Sequence, residues 1–430
     1  MKIMIRLHRW TSVICTVFLL LLILTGLPLM FRQEIRSWNT INLPAPSAPM
    51  AVNEIWSSLD EGLDALQHNY PDKELLSVTP DPSDGTLYFR VKNKNERAAR
   101  AHMRMGGEQI MYDVREHTLF DRTTRVYRYP AVEAFLHTMH NLHVSLGTGS
   151  TGRNILILMC FLSIVSLFSG LYLYFPMMKA FAFGTVRRRT KRLWWSDWHK
   201  ILSLVAAAWL FALCMSGIAI DLYARGSMQY DKTAAAQAKA ALVLQDSQAA
   251  ISPMAALEKA QAFFPDRLVI SMDMPNKDLP AYTFSVADVP AQPTNFMLGE
   301  KAFLAKDGAS SVAYYPAPAW MQFIPFWINL HIHSHDLMIE KILWVVLILI
   351  SVGAVVTGIG VFISRQKAQV MRAAKDVVQA RHASLRRETW LVVIGAMAFL
   401  VLPIYGGFWH VLALLLAAAL FIWLWRSLRK

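Results

Sequence analysis

Cysteine is scarce in this chain: Cys15, Cys160 and Cys214 are the only three in 430 residues, and each falls inside a long apolar run. No disulfide framework is implied. The pattern Cys-x-x-Cys-His is absent, which excludes covalent attachment of a c-type haem. Charged residues make up only 17% of the chain, and the apolar runs carry essentially none between their ends. Ion pathways through membranes use such mid-span groups, so their absence argues against a metal transporter. A nucleotide-binding fingerprint is missing too. Residues 147–152 formally fit G-x-G-x-x-G, but they follow no strand and precede an apolar run, so they read as a turn. Reducing equivalents from a flavin or nicotinamide would therefore have to reach this chain from a separate donor.

Apolar residues are abundant. They form 55% of the chain, with a mean hydropathy of +0.32, which indicates a polytopic membrane protein that keeps sizeable water-exposed parts. Runs long enough to cross a hydrocarbon layer of about 30 Å occupy 1–31, 154–176, 201–220 and 342–363, and a hairpin at 390–425 supplies two more. Six membrane helices are expected. The first run exceeds a usual signal-peptide core, and Leu27-Pro28-Leu29-Met30-Phe31 offers no small-residue cleavage site, so it reads as a retained anchor.

Charge sets the expected orientation. With the N-terminus inside, segments 1–9, 177–200, 364–389 and 426–430 are cytoplasmic and hold 20 Lys and Arg against three acids, Asp197, Asp376 and Glu388. Both termini then lie in the cytoplasm, and the formal charge of +13 comes from the inner face. Arg187, Arg188 and Arg189 accordingly read as topology anchors that meet anionic membrane lipid, and no nucleic-acid partner is expected. Trp10, Trp194, Trp195 and Trp198 inside, with Trp320 and Trp327 outside, read first as aromatic belts. A role for Trp10 or Trp198 beside an inner cofactor is the minor alternative.

The two long outer segments, 32–153 and 221–341, repeat one pattern. Helical spacing at 53–69 ends at Tyr70-Pro71-Asp72 and is followed by strand-like stretches at 75–78, 86–91 and 109–113. Helical spacing at 252–264 ends at Phe264-Pro265-Asp266 and is followed by strand-like stretches at 268–272, 281–287 and 301–305. Each segment is expected to be a small α+β domain.

The repeat extends into the membrane runs. His8 and His199 open two of them, and Gly26 and Gly217 each follow 18 positions later, in Thr25-Gly26 and Ser216-Gly217. His143, in Asn141-Leu142-His143, and His331, in Asn329-Leu330-His331, are each followed 27 positions later by glycine, in Ser169-Gly170 and Thr357-Gly358. A membrane histidine is costly unless it faces the bundle interior and finds a partner, so four in two matched pairs point to function. The topology puts His8 and His199 at the inner boundary and His143 and His331 at the outer one. Two facing imidazoles are what six-coordinate haem b requires, and two haems per chain are expected. Asp197 is a candidate to orient His199. Gly26 and Gly217 fall at the depth of the outer histidines, and Gly170 and Gly358 near the inner ones; they either leave room for a flat macrocycle or simply allow close helix packing. His137, His140, His333 and His335 crowd the outer end as alternate ligands or a direct metal site. His68, His102, His117, His382 and His410 have no repeat mate.

A His-Arg/Lys membrane helix, an outer domain with a Tyr/Phe-Pro-Asp helix stop, an Asn-Leu-His returning helix and duplication of the whole resemble the PepSY-associated membrane-helix proteins. The resemblance covers about 360 residues. It implies a mainly α membrane protein in which a duplicated helix–PepSY-like domain–helix unit forms a four-helix core, with the C-terminal hairpin added. It also implies an inner-membrane oxidoreductase that reduces a periplasmic ferric siderophore and releases Fe(II) for iron uptake, fed by a quinol or a cytoplasmic reductase. A non-enzymatic accessory protein for siderophore or metal transport is the alternative.

Overall fold

A computed structural model describes residues 1–42, 48–94, 108–178, 182–242, 250–288, 299–332 and 338–375. In chain order the elements are α1 (Lys2–Met30), α2 (Arg32–Asn39), α3 (Val52–Ser57), α4 (Leu59–Asn69), β1 (Lys73–Asp81), β2 (Thr86–Asn93), β3 (Glu108–Asp113) and β4 (Thr118–Asp121). They continue with α5 (Pro130–Ser145), α6 (Ser150–Met178), α7 (Lys191–Ala241), α8 (Pro253–Phe263), β5 (Leu268–Asp273), β6 (Ala281–Ala287), β7 (Glu300–Ala305) and β8 (Ala313–Tyr315), and close with α9 (Ile324–Ile332) and α10 (Met338–Lys375).

The chain divides into two compact units. One comprises 1–39, 129–221 and 330–430, and the other 40–128 and 222–329. The helical unit therefore includes α2 and α5, which the sequence reading assigned to an outer domain. Arg36 on α2 pairs with Glu133 on α5, and the Asn39 side chain bonds both backbone groups of Tyr129, so these helices brace each other.

Four helices among the described residues are long and apolar enough to span a membrane, in the stretches Lys2–Met30, Ser150–Pro176, Lys191–Ala241 and Met338–Ala368. The protein is a membrane protein. The remaining two expected spans, at 390–425, lie outside the described residues. Three of the four helices overrun their expected limits. The largest excess is in α7, which has 51 residues and starts within the segment expected to be an inner loop. Its extension past Ile220 is rich in alanine and contains no proline, so nothing stops the helix there. By contrast, Pro28 in the last turn of α1 cannot donate to the helix ladder, and the chain breaks at Phe31 before α2 resumes.

The sheet unit differs from the expectation of two separate domains. All eight strands form one antiparallel sheet in the order β4-β3-β2-β1-β5-β6-β7-β8. The halves join where Ser77 and Val78 on β1 pair with Asp273 and Met272 on β5. Joining removes two exposed sheet edges that would otherwise be open to wrong pairing. The core is common to both halves: Trp56, Phe89 and Tyr112 cluster with Leu257, Met272 and Phe284, all essentially fully buried. Trp56 Nε1–H also donates to Val269 O at 2.6 Å, satisfying the indole across the join. Strands β4 and β8 escape the sequence because four- and three-residue edges leave little alternation to read. The first helix is broken at Ser58 into α3 and α4.

Because the core is shared, Trp56→Ala should destabilise both halves of the sheet together by about 3–5 kcal/mol. Limited proteolysis of the full-length protein followed by mass spectrometry checks this. Cleavage confined to 40–128 would show that the halves are independent.

Candidate functional site

The four repeat-matched histidines all lie in the helical unit, and the fold brings them together in two pairs. The rings of His8 on α1 and His199 on α7 have centres 6.4 Å apart at 45°. The rings of His143 on α5 and His331 on α9 have centres 6.1 Å apart at 55°. The pairs lie at opposite ends of α1, because His143 touches Gly26, 18 residues or about 27 Å along the helix from His8.

Each ring rests on a glycine. A Cβ built on Gly170 would stand 2.8 Å from His8 Cε1, one on Gly358 3.0 Å from His199 Cε1, one on Gly26 3.3 Å from His143 Cε1 and one on Gly217 3.5 Å from His331 Cε1. The room these glycines leave is thus taken by the imidazoles themselves. In every case ring and glycine belong to the same half of the chain.

Hydrogen bonds fix how the rings are used. His8 Nδ1–H donates to Ser166 O and His199 Nδ1–H to Ala354 O, both at 2.9 Å. A carbonyl can only accept, so Nδ1 carries the proton and Nε2 keeps its lone pair. At the other end His143 Nδ1–H donates to Thr25 Oγ1 at 3.1 Å and His331 Nδ1–H to Ser216 Oγ at 2.9 Å. Those hydroxyls give their own protons to Leu21 O and Ala212 O, which leaves them as acceptors. Thr25 and Ser216 were visible in the sequence only as neighbours of the glycines. Outside the four spans, burial pushes the His143 and His331 imidazoles down to about 4. Both are neutral at physiological pH, the form that coordinates metal.

Asp197 does not orient His199. Its carboxylate accepts from Arg187 Nε at 2.9 Å, Arg187 Nη2 at 2.8 Å and Lys200 Nζ at 3.0 Å, so it fastens the segment before α7 to the helix. The reason is reach: Asp197 and His199 are two positions apart on one helix and face different sides.

Of the alternate ligands, His137 is exposed beside Asn141, and His140 is half-buried one turn from His143 without joining the ring pair. His333 and His335 lie outside the described residues. Trp10 stacks under Arg9, with 5.3 Å from Arg9 Cζ to the ring centre, and Trp194 packs edge-on to Trp195 and Trp198.

Two trans imidazoles on one metal ion, each with about 2 Å from metal to nitrogen and roughly 1 Å more to the ring centre, place the centres about 6 Å apart. Both pairs match that spacing. Among the described residues no group of three His, Cys, Asp or Glu could hold a metal ion. A metal between either pair would meet no third ligand among the described His, Cys, Asp and Glu side chains.

The family model described as PepSY-associated TM region matches residues 5–365. The chain belongs to this family. The match takes in α1 through most of α10, so every residue of the two histidine pairs lies within the PepSY-associated region, and 390–425 falls outside it. No curated protein matches the chain significantly.

The clearances rank the glycines. Gly170→Ala and Gly358→Ala should displace a histidine ring and cost about 1–3 kcal/mol, whereas Gly217→Ala should be nearly neutral. Thermal melts of the detergent-solubilised variants test the order; equal losses at all positions would mean that the rings do not need these glycines.

Proposed function

We propose that the protein is a haem-b electron-transfer protein of the bacterial inner membrane that reduces a periplasmic ferric siderophore and so releases Fe(II). The observation that carries this reading is the pair of bis-imidazole sites at opposite ends of α1. The donor set fits haem, whose iron would take one imidazole nitrogen from each histidine of a pair. Haem, when bound, supplies one-electron Fe(III)/Fe(II) chemistry.

The chain's own residues do the rest. His8 and His199 would hold one group and His143 and His331 the other, each through Nε2 because Nδ1 is committed to an acceptor. Gly170, Gly358, Gly26 and Gly217 let the rings seat against the helices. The bundle between the sites contains an apolar cluster of Ile23, Ala206, Leu210 and Ile348, which suits passage of electrons rather than ions. One electron from a quinol or a cytoplasmic reductase is consumed for each Fe(III) reduced.

The positive-inside pattern supports an orientation with the His8 and His199 end, and both termini, in the cytoplasm. The matched strand orders on the two sides of the β1–β5 join are what duplication of a helix–domain–helix unit would leave. With the sheet continuous across that join, the acceptor docks elsewhere than between two free domains.

The detergent-purified protein should show b-type bands on reduction with dithionite, and a pyridine haemochrome assay should give two haems per chain. His8→Ala and His143→Ala should each lose one. A colourless protein, expressed with haem available, would overturn the reading and favour a non-enzymatic accessory role.

A further inference from the structure

The two halves match in their ligands but differ one or two turns further out. Six positions after Gly26 stands Arg32, and six after Gly217 stands Tyr223, which is buried. Three positions before His143 stands His140, and three before His331 stands Ile328, also buried. The first half therefore has two polar, nitrogen-bearing side chains where the second has a tyrosine and an isoleucine.

Arg32 opens α2, just past the end of α1 that touches His143. Arg36, one turn later, bonds Glu133 on α5, and α5 runs on from Glu133 through His137 and His140 along one face. The strut between Arg36 and Glu133 fixes α2 against α5, and Arg32 lies near enough to His140 that, after burial, its charge is what pushes that imidazole's pKa down most. Both oxygens of Glu133, the acid at this junction, are taken by Arg36. Arg32 makes no hydrogen bond or ion pair among the described residues, and its Nε is buried without a partner. Burying a guanidinium N–H without an acceptor is costly, and guanidinium groups recognise carboxylates best.

We propose that Arg32, flanked by His140, is a carboxylate-binding subsite one turn beyond the His143–His331 pair. It rests on the haem reading above. Its carboxylate has two possible sources of the same chemistry: a propionate of the haem held by that pair, or a carboxylate of the ferric complex being reduced. Arg32 is a positioning residue in either case, and the subsite gives a symmetric ligand pair a single preferred orientation for what it holds.

The test uses the full-length chain carrying His8→Ala, which leaves one haem at the outer pair. Haem transfer to apomyoglobin is timed with and without Arg32→Gln, for haem b and for its dimethyl ester. A propionate source predicts about tenfold faster loss of haem b on Arg32→Gln and no change for the ester. For the second source, KM is measured in the protein with both sites filled, using ferric citrate and an uncharged ferric trihydroxamate. A tenfold rise for ferric citrate alone, with haem loss unchanged, assigns the carboxylate to the acceptor. Unchanged haem loss together with unchanged KM overturns the subsite. Should Arg32→Gln not accumulate, the unsubstituted Arg32 protein still decides: the ester leaving no faster than haem b, with equal KM for the two ferric complexes, also overturns it. A colourless protein overturns the function and the subsite together.

Discussion

A buried imidazole has to give its Nδ1 proton to an acceptor, and in this protein every one of the four does so onto a helix of its own half of the chain. His8 reaches Ser166 O, His143 reaches Thr25 Oγ1, His199 reaches Ala354 O and His331 reaches Ser216 Oγ. The partner helix must come close enough for that bond, and a glycine leaves room for the ring, most tightly at Gly170 and Gly358. Each half is thus a clasp of two helix pairs whose two rings are held through Nδ1, which leaves Nε2 outside that bond. The 6.1 and 6.4 Å separations between ring centres follow from bringing two such clasps face to face.

The same economy governs the sheet unit. Each half contributes four strands and a helical cover, and neither encloses a full core alone. Pairing β1 with β5 lets Trp56 find its acceptor on β5 and lets Met272 and Phe284 pack with Phe89 and Tyr112. Where the halves differ, as at Arg32 and Tyr223, the difference lies beyond the two histidine pairs.

Much of this was legible in the sequence because it is periodic. The recurring 18- and 27-residue intervals singled out the four histidines and four glycines and their depths, though not that each ring packs on a glycine, and alternation located six of the eight strands. What stayed hidden depends on neighbours distant in the chain. Nothing local distinguishes a loop from the continuing helix in the alanine-rich stretch after Ile220. Asp197 looked like a partner for His199 until the three-dimensional position of Arg187 was known. The fusion of the two sheets rests on a two-residue register between strands almost 200 positions apart, which no local pattern encodes. The hydroxyls of Thr25 and Ser216 could have been found: each precedes its glycine in a matched pair, and a matched hydroxyl beside a matched histidine is itself a signal.

The central claim is that the two histidine pairs act in series across the membrane. Proteoliposomes loaded with a membrane-impermeant reductant, with a ferric trihydroxamate and a Fe(II)-trapping dye outside, test it directly. The account predicts external Fe(II) formation that is lost in His8→Ala and in His143→Ala alike. External reduction that survives loss of either pair would contradict it.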